Sequence, residues 1–304
     1  MVSRQDTETR SGFAALIGAP NAGKSTLMNA MVGSKVSIVT PKVQTTRSRI
    51  RGIAMAGAAQ IVFIDTPGIY QPKRRLDRAM VQAAWKGAED GDVLLLVHDC
   101  ARREIDQDTA AIVAQLAASG RPASLVLNKI DLAPQERLLK RAAEMAKQHE
   151  FERIFMVSAE TGNGVEDLRQ WLATKMPVGP YLFDPEDLSD MPLRLLAAEI
   201  MREKLFLNLH QELPYQLTVE TEKWEEQEDG SATVHLSIYV AREGHRGIVL
   251  GKKGSTIKRI GMAARIELEE ALDRRVHVLS HVKFRKDWMD DAARYSVWDL
   301  DYDA

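Results

Sequence analysis

This chain has little of what marks secreted, membrane-spanning or uniformly nucleic-acid-coated proteins. It holds one cysteine, Cys100, in 304 residues. A lone thiol excludes an intramolecular disulfide and fits a reducing, cytoplasmic compartment. Cys100 reads as structural or incidental. Neither sign of charge dominates: 41 Lys and Arg stand against 43 Asp and Glu, a formal net charge of −2. No global basic field announces nucleic acid, so any affinity for it has to come from a local patch. No apolar run reaches the roughly 20 residues of a membrane-spanning helix, and the N-terminal stretch lacks a signal peptide's apolar core. Residues 1–10 are polar and read as disordered. What is present is a 45% hydrophobic chain, long enough to bury two cores.

Glycine is concentrated where it can act. Gly18-Ala19-Pro20-Asn21-Ala22-Gly23-Lys24-Ser25 matches G-x-x-x-x-G-K-[ST] in full. It follows an apolar run, Phe13–Ile17, that reads as a buried strand, and precedes a helical stretch from Ser25 to Val32. Strand, glycine loop and helix N-terminus make an anion site, because unpaired backbone N–H groups point at the phosphates. Asn21, Ala22, Gly23, Lys24, Ser25 and Thr26 are the candidate phosphate contacts. Lys24 would reach the β- and γ-phosphates as a catalytic cation, and the Ser25 hydroxyl would ligate Mg²⁺.

A second strand-like run, Ile61–Ile64, ends in Asp65-Thr66-Pro67-Gly68. Asp65 there can hold Mg²⁺ through its water shell. Gly68, lacking a Cβ, lets its N–H approach the γ-phosphate. Between the two motifs lies a polar loop, Pro41–Arg47. A threonine in it could complete the Mg²⁺ shell, sense the γ-phosphate and order the loop only with the triphosphate. Thr46 is favoured over Thr45 and joins Lys24 and Gly68 as a catalytic candidate.

The base is named by Asn128-Lys129-Ile130-Asp131, about 100 residues on. Asp131 can accept two hydrogen bonds, from N1–H and the 2-amino group of guanine. Adenine would leave the carboxylate unpaired, and sites that bond a specific group reject analogues lacking it by roughly 10⁴-fold or more. Lys129 either packs its stem over the base or braces the phosphate loop. Ser158-Ala159-Glu160, after another strand-like run, offers backbone N–H groups to the guanine O6. His98 and Asp99 form a tempting acid–base pair, but nothing places them at the γ-phosphate, and they read as structural.

Apolar runs near 13–17, 61–64, 93–97, 124–127 and 154–157 alternate with amphipathic stretches at 76–88, 104–118, 134–149 and 165–175. Such alternation argues an α/β P-loop NTPase domain with a mostly parallel sheet, its motifs at the carboxyl ends of strands. Residues 36–39 and 50–55 are candidate further strands. The expected division is a nucleotide domain at 11–177, a linker at 178–191 punctuated by proline, a second domain at 192–298 and a tail at 299–304. In the second domain a helix at 193–210, strands at 215–221 and 232–240 joined by an acidic hairpin turn, helical sequence from 248 to 272 and a strand at 276–282 give an α-β-β-α-α-β order. This fits an α+β type II KH fold. Arg242, Arg246, Lys252, Lys253, Lys258 and Arg259 crowd residues 242–259 against one acid, Glu243. Gly251-Lys252-Lys253-Gly254 matches the GXXG loop that clamps single-stranded backbone. Arg246, Ile248, Gly251, Lys252, Lys253, Gly254, Lys258 and Arg259 are the candidate RNA contacts. Ile248, Val249, Ile257 and Ile260 are candidates for the groove, some of which must instead be core.

In this order, G-A-P-N-A-G-K-S, Q-T-T-R, D-T-P-G, N-K-I-D and S-A-E resemble the motif set of translation-factor-type GTPases. Residues 180–187, 199–205, 212–215 and 251–261 narrow the resemblance to the Era family of bacterial ribosome-assembly GTPases, over roughly 11–298. The resemblance implies binding and slow Mg²⁺-dependent hydrolysis of GTP to GDP. It also implies a 16S rRNA 3′ region and the 30S subunit as partners, a monomer, and peripheral association with the inner face of the cell membrane. The glutamine that positions water in Ras-like enzymes is replaced by Ile69, in keeping with that family. Asn21 is a candidate K⁺ ligand, as in similar GTPases with asparagine there, or else merely shapes the loop. Two other readings stand beside this one: an RNA-binding module that holds GTP as a structural ligand with negligible turnover, and a P-loop kinase, which N-K-x-D argues against.

Overall fold

The computed structural model describes residues 8–304. Residues 1–7, most of the segment expected to be disordered, lie outside it. The described chain divides into two compact units, residues 8–190 with 295–304, and residues 191–294.

The first unit is built on a six-stranded sheet. Its strands are β1 (Arg10–Ile17), β2 (Ile50–Ala56), β3 (Ala59–Asp65), β4 (Val93–Asp99), β5 (Ser124–Asn128) and β6 (Ile154–Met156). Their spatial order is β2-β3-β1-β4-β5-β6. All neighbours are parallel except β2 on β3, which is antiparallel at the edge. Strands β3, β4 and β5 are buried along their whole length and β1 at all but Arg10 and Phe13, and they are mostly apolar on both faces, as parallel strands covered by helices must be. The covering helices are α1 (Lys24–Val32), α2 (Arg75–Glu89), α3 (Gln107–Ser119), α4 (Gln135–Ala146) and α5 (Val165–Lys175). In α1, Leu27, Met28 and Met31 are completely buried. Each such side chain contributes about 1.5–3 kcal/mol, and Gly33 in a left-handed conformation ends the helix by donating to the Asn29 carbonyl. Because β1 lies between β3 and β4, the strand order reverses beside it. The loops after β1 and β3 therefore open into one crevice at the carboxyl edge.

Three expectations are revised. Residues 36–39 form no strand. Asn29 holds this stretch instead, its side-chain oxygen accepting from the backbone of Val36 and Ser37 while its amide donates to the Ser37 carbonyl. The chain from 178 to 190 is no loose linker. The buried Gln60 side chain accepts from Leu182 and Phe183 N–H and donates to the Phe183 carbonyl, and Ser189 bridges to Gly52. This strap covers the exposed backbone of edge strand β2, where unpaired N–H and C=O groups would otherwise face water. Residues 295–298, assigned from sequence to the second domain, group with the first unit.

The second unit packs α6 (Leu193–Asn208), α7 (Glu243–Leu250) and α8 (Ser255–Leu272) against a sheet of β7 (Leu217–Glu226), β8 (Ala232–Val240) and β9 (Val276–Phe284). The sheet order is β7-β8-β9, antiparallel then parallel. Val234, Leu236, Ile238 and Val240 alternate along β8 into a core shared with Ala197, Met201, Phe206, Ile260, Ala264 and Leu268. Helix α7 begins at Glu243, earlier than the helical sequence expected from 248, and breaks at the glycine loop. A short helix α9 (Ala292–Val297) runs across the boundary at 294.

Candidate functional sites

The first site grows from the loop between β1 and α1. Gly18, Asn21 and Gly23 all take positive φ, and Gly23 caps α1 with no side-chain bond. The N-terminal amides of α1 therefore point out of the loop toward an anion. Lys24 is buried, and its Nζ donates to the Gly18 and Ala19 carbonyls at 3.1 and 3.2 Å. Burial pulls its pKa down to about 8, with Asp65 acting in the opposite sense. A lysine so held is a cation the site binds reluctantly until an anion arrives.

Asp65, at the end of β3, is fully buried and lies beside three hydroxyls. Ser25 donates to it at 2.6 Å, Ser37 at 3.1 Å and Thr46 at 3.4 Å, and Ser25 and Thr46 oxygens stand 3.0 Å apart. Burial raises the Asp65 pKa, opposed by Lys24 and these hydroxyls. Its Oδ1 has no partner among the described residues. A buried carboxylate oxygen left over, next to two hydroxyl oxygens, suits a hard cation that takes oxygen ligands and keeps several waters. Thr45 points elsewhere, to Thr40 and the Lys42 carbonyl. Gly68 packs against the phosphate loop, where a Cβ would stand 2.9 Å from Pro20 Cα, and Ile69 N–H donates to the Gly18 carbonyl. Ile69 itself is buried in the sheet's core, so its side chain is turned away from a phosphate. Asn21, Lys24, Ser25, Thr46, Gly68 and Lys129 border a cleft of about 220 Å³.

The N-K-I-D segment divides its work. Asn128 is buried, donates to the Ala22 carbonyl at 3.0 Å and accepts from Ala159 N–H at 3.1 Å. It ties the phosphate loop to the 158–160 loop. Lys129, in a left-handed conformation, donates to the Asn21 carbonyl and to Asp99 at 2.9 and 2.7 Å. Asp99 thus serves as its anchor. His98 is buried beside Arg141, and burial with that guanidinium lowers its pKa to about 4. Asp131 is exposed. The expectation for Ser158-Ala159-Glu160 narrows, since Ser158 N–H already donates to Asn163 and Ala159 N–H to Asn128. Sequence reasoning missed Gln44, which donates to Tyr70 and Asp77 at 2.9 and 3.0 Å and so joins the 40–47 loop to α2. Its only signal was a polar residue beside two threonines.

The second site is the turn between α7 and α8. Gly251 has φ 70° and ψ 178°, which only glycine adopts readily, and a Cβ there would collide with Thr256. Gly254 caps α8 in a left-handed conformation without a side-chain bond. Arg246, Lys252, Lys253, Lys258 and Arg259 are all exposed on this turn and its flanking helices. The structure sorts the groove candidates: Val249 and Ile260 are core, Ile257 is packed against it, and Ile248 is 58% exposed.

The same two units occur in known proteins. A family described as 50S ribosome-binding GTPase matches residues 13–129, and the KH domain family matches 212–289. GTPase Era of Dinoroseobacter shibae is 54% identical over 297 residues, 97% of this chain and 96% of that protein. GTPase Era of Rhizobium meliloti is 55% identical over 294 residues, 97% and 94% respectively. The crystal structure of Era in complex with MgGDPNP and nucleotides 1506–1542 of 16S ribosomal RNA matches with a TM-score of 0.90 at 36% identity, covering 95% of this chain and 98% of that one. An Aquifex aeolicus Era variant bound to GDP·AlF4⁻ gives 0.89 at 35%, covering 95% and 99%. With a GTPase domain and a KH domain in one chain, and this identity across nearly its whole length, the protein belongs to the Era family of GTPases.

Proposed function

We propose that this GTPase is a switch that binds the 3′ region of 16S rRNA through its glycine–lysine loop and assists assembly of the small ribosomal subunit. The observation that supports RNA binding is the Gly251–Gly254 turn: glycine-only backbone, two exposed lysines and an uncapped helix N-terminus together. Backbone phosphates suit that combination, and Ile248 offers an apolar surface to bases. An Era bound to nucleotides 1506–1542 of 16S rRNA favours this RNA over others.

In the proposed hydrolysis, the oxygen of water attacks the γ-phosphorus, the bond to the β–γ bridging oxygen breaks, and that oxygen leaves on GDP. Lys24 neutralises charge on the β- and γ-phosphates. Asp131 reads guanine, and Asn128 and Lys129 hold the loops that carry the phosphate contacts. Ser25, Thr46 and Asp65 would hold Mg²⁺, which supplies charge neutralisation across the β- and γ-oxygens when bound. Because Ile69 is buried, the water is left to be placed by backbone groups, a partner's residue or a cation. The Asn21 amide N–H donates to the Pro41 carbonyl at 3.0 Å, which leaves its side-chain oxygen for K⁺. Equal rates in Na⁺ and K⁺ would remove Asn21 from that role. Slow turnover, a monomeric state and a cytoplasmic location belong to the same proposal. Association with a membrane surface rests on the family resemblance and a basic stretch at Lys258 and Arg259, and sedimentation with anionic vesicles tests it.

The decisive experiment is binding of a 16S rRNA 3′ fragment at fixed salt, with a GTP analogue and with GDP. Tighter binding with the analogue supports a switch; equal binding favours uncoupled domains; no binding sinks the RNA assignment.

A further inference from the structure

Residues 295–304, Tyr-Ser-Val-Trp-Asp-Leu-Asp-Tyr-Asp-Ala, carry three aspartates and no basic residue. They group with the nucleotide unit, and their aromatic and leucine side chains are not surface decoration. Tyr295 is 1% exposed, Trp298 6% and Leu300 7%. Tyr295 stands edge-on to Tyr302 at 5.1 Å.

The partners of this segment belong to the two stretches that flank the γ-phosphate position. Arg47, the residue after Thr46, is buried with its guanidinium 5.9 Å from the Trp298 ring centre. Arg49 pairs with Asp299 and, at 2.7 Å, with Asp90 just past α2. On α2, Arg75 lies 4.4 Å over the Tyr302 ring, and Arg78 donates to the Ala304 carbonyl at 3.2 Å. An acidic, aromatic segment thus spans the basic residues of the 40–49 loop and of α2.

Thr46 and Arg47 are adjacent in the chain, so their positions are coupled. With Arg47 packed beneath Trp298, the Thr46 hydroxyl reaches Ser25 and Asp65. Swinging Thr46 away would drag Arg47 off the ring and strand a buried guanidinium. We propose that residues 295–304 are a latch holding the 40–49 loop in the arrangement the triphosphate requires, with Arg47 as the positioning residue for Thr46. The latch favours GTP over GDP, because only the triphosphate state uses Thr46. By reciprocity, GTP tightens the latch by the same factor. The latch depends on the proposed role of Thr46.

The test measures affinity of the full-length protein for a non-hydrolysable GTP analogue and for GDP, both with Mg²⁺. Trp298→Ala is expected to lower analogue affinity about fivefold or more, leaving GDP affinity nearly unchanged; Asp299→Asn moves the ratio the same way by less. Thr46→Ala is the reference. If it lowers the GTP-to-GDP ratio while neither tail variant does, the latch is overturned and the Thr46 role survives. If Thr46→Ala leaves the ratio unchanged, that role fails and the latch with it. Should Trp298→Ala not fold, hydrogen exchange of residues 295–304 in the wild type carries the test. Stronger protection with the analogue than with GDP supports the latch, and equal protection overturns it.

Discussion

The nucleotide site and the glycine–lysine loop differ in how they are held. Around the nucleotide cleft the loops are bonded to one another through side chains: Asn128 to two loops, Lys129 to Asn21 and Asp99, Ser25 and Thr46 to Asp65. The Gly251–Gly254 turn instead offers exposed lysines and an uncapped helix. A site that reads one small molecule gains from internal bonds that fix its loops before the ligand arrives. A surface that meets a polymer's backbone works through exposed charge and a shape only glycine permits.

Substitutions probe that contrast, beginning with the base. Asp131→Asn is expected to weaken GTP binding roughly 100-fold or more and to shift preference toward xanthine nucleotide, because a specific acceptor is exchanged for a mixed donor–acceptor. Competition calorimetry with the two nucleotides measures this, and unchanged GTP affinity would refute the contact. Gly23→Ala comes next. A Cβ there collides with the Asn128 amide, so one methyl group attacks the brace between loops. Nucleotide affinity should fall about 10-fold to 100-fold by the strain introduced, an order of 1–3 kcal/mol, with rRNA affinity measured on the same sample unaltered.

The counterpart in the second unit is Gly251→Asp. It meets Thr256, requires a backbone conformation aspartate resists, and adds a negative charge where phosphate should lie. RNA affinity should drop about tenfold or more, and nucleotide affinity should not change; loss of both would blur the contrast between the sites. The smallest effect is one of pH. The folded-state pKa of Lys24 is lowered to about 8, below the roughly 10.4 of a free lysine. Burying its charge therefore costs stability below pH 8, and that cost fades as pH rises toward 10. Phosphate binding needs the charged form and should restore the proton. GTP affinity is expected to fall a few-fold between pH 7 and 8.5, with proton uptake at the higher pH seen by calorimetry in buffers of different ionisation enthalpy. A flat profile would mean Lys24 stays charged without nucleotide.

Much of this molecule is legible in its sequence. The phosphate loop, D-T-P-G and N-K-I-D each follow an apolar run, and strands β1, β3 and β5 stand where those runs are. The stretch at 36–39 misleads because four residues of strand-like composition cannot show that an asparagine in the preceding helix claims their backbone. Ile248, Val249, Ile257 and Ile260 look alike in sequence, and helix phase about a glycine break decides which are core.

Local sequence dictates the chemistry of the candidate phosphate and base contacts and the division into two folded units. Those depend on short-range spacing, on glycine where φ must be positive, and on hydrophobic period. Tertiary packing settles that Thr46 rather than Thr45 meets Asp65, that Asn128 is a brace, that residues 178–190 cap a strand, and that residues 295–304 cover Arg47. Those partners lie from about 20 to 250 positions apart in the chain. No local pattern encodes which distant residue completes a buried polar group's hydrogen bonds; packing selects it, because an unpaired buried donor or acceptor costs more than the pairing gains.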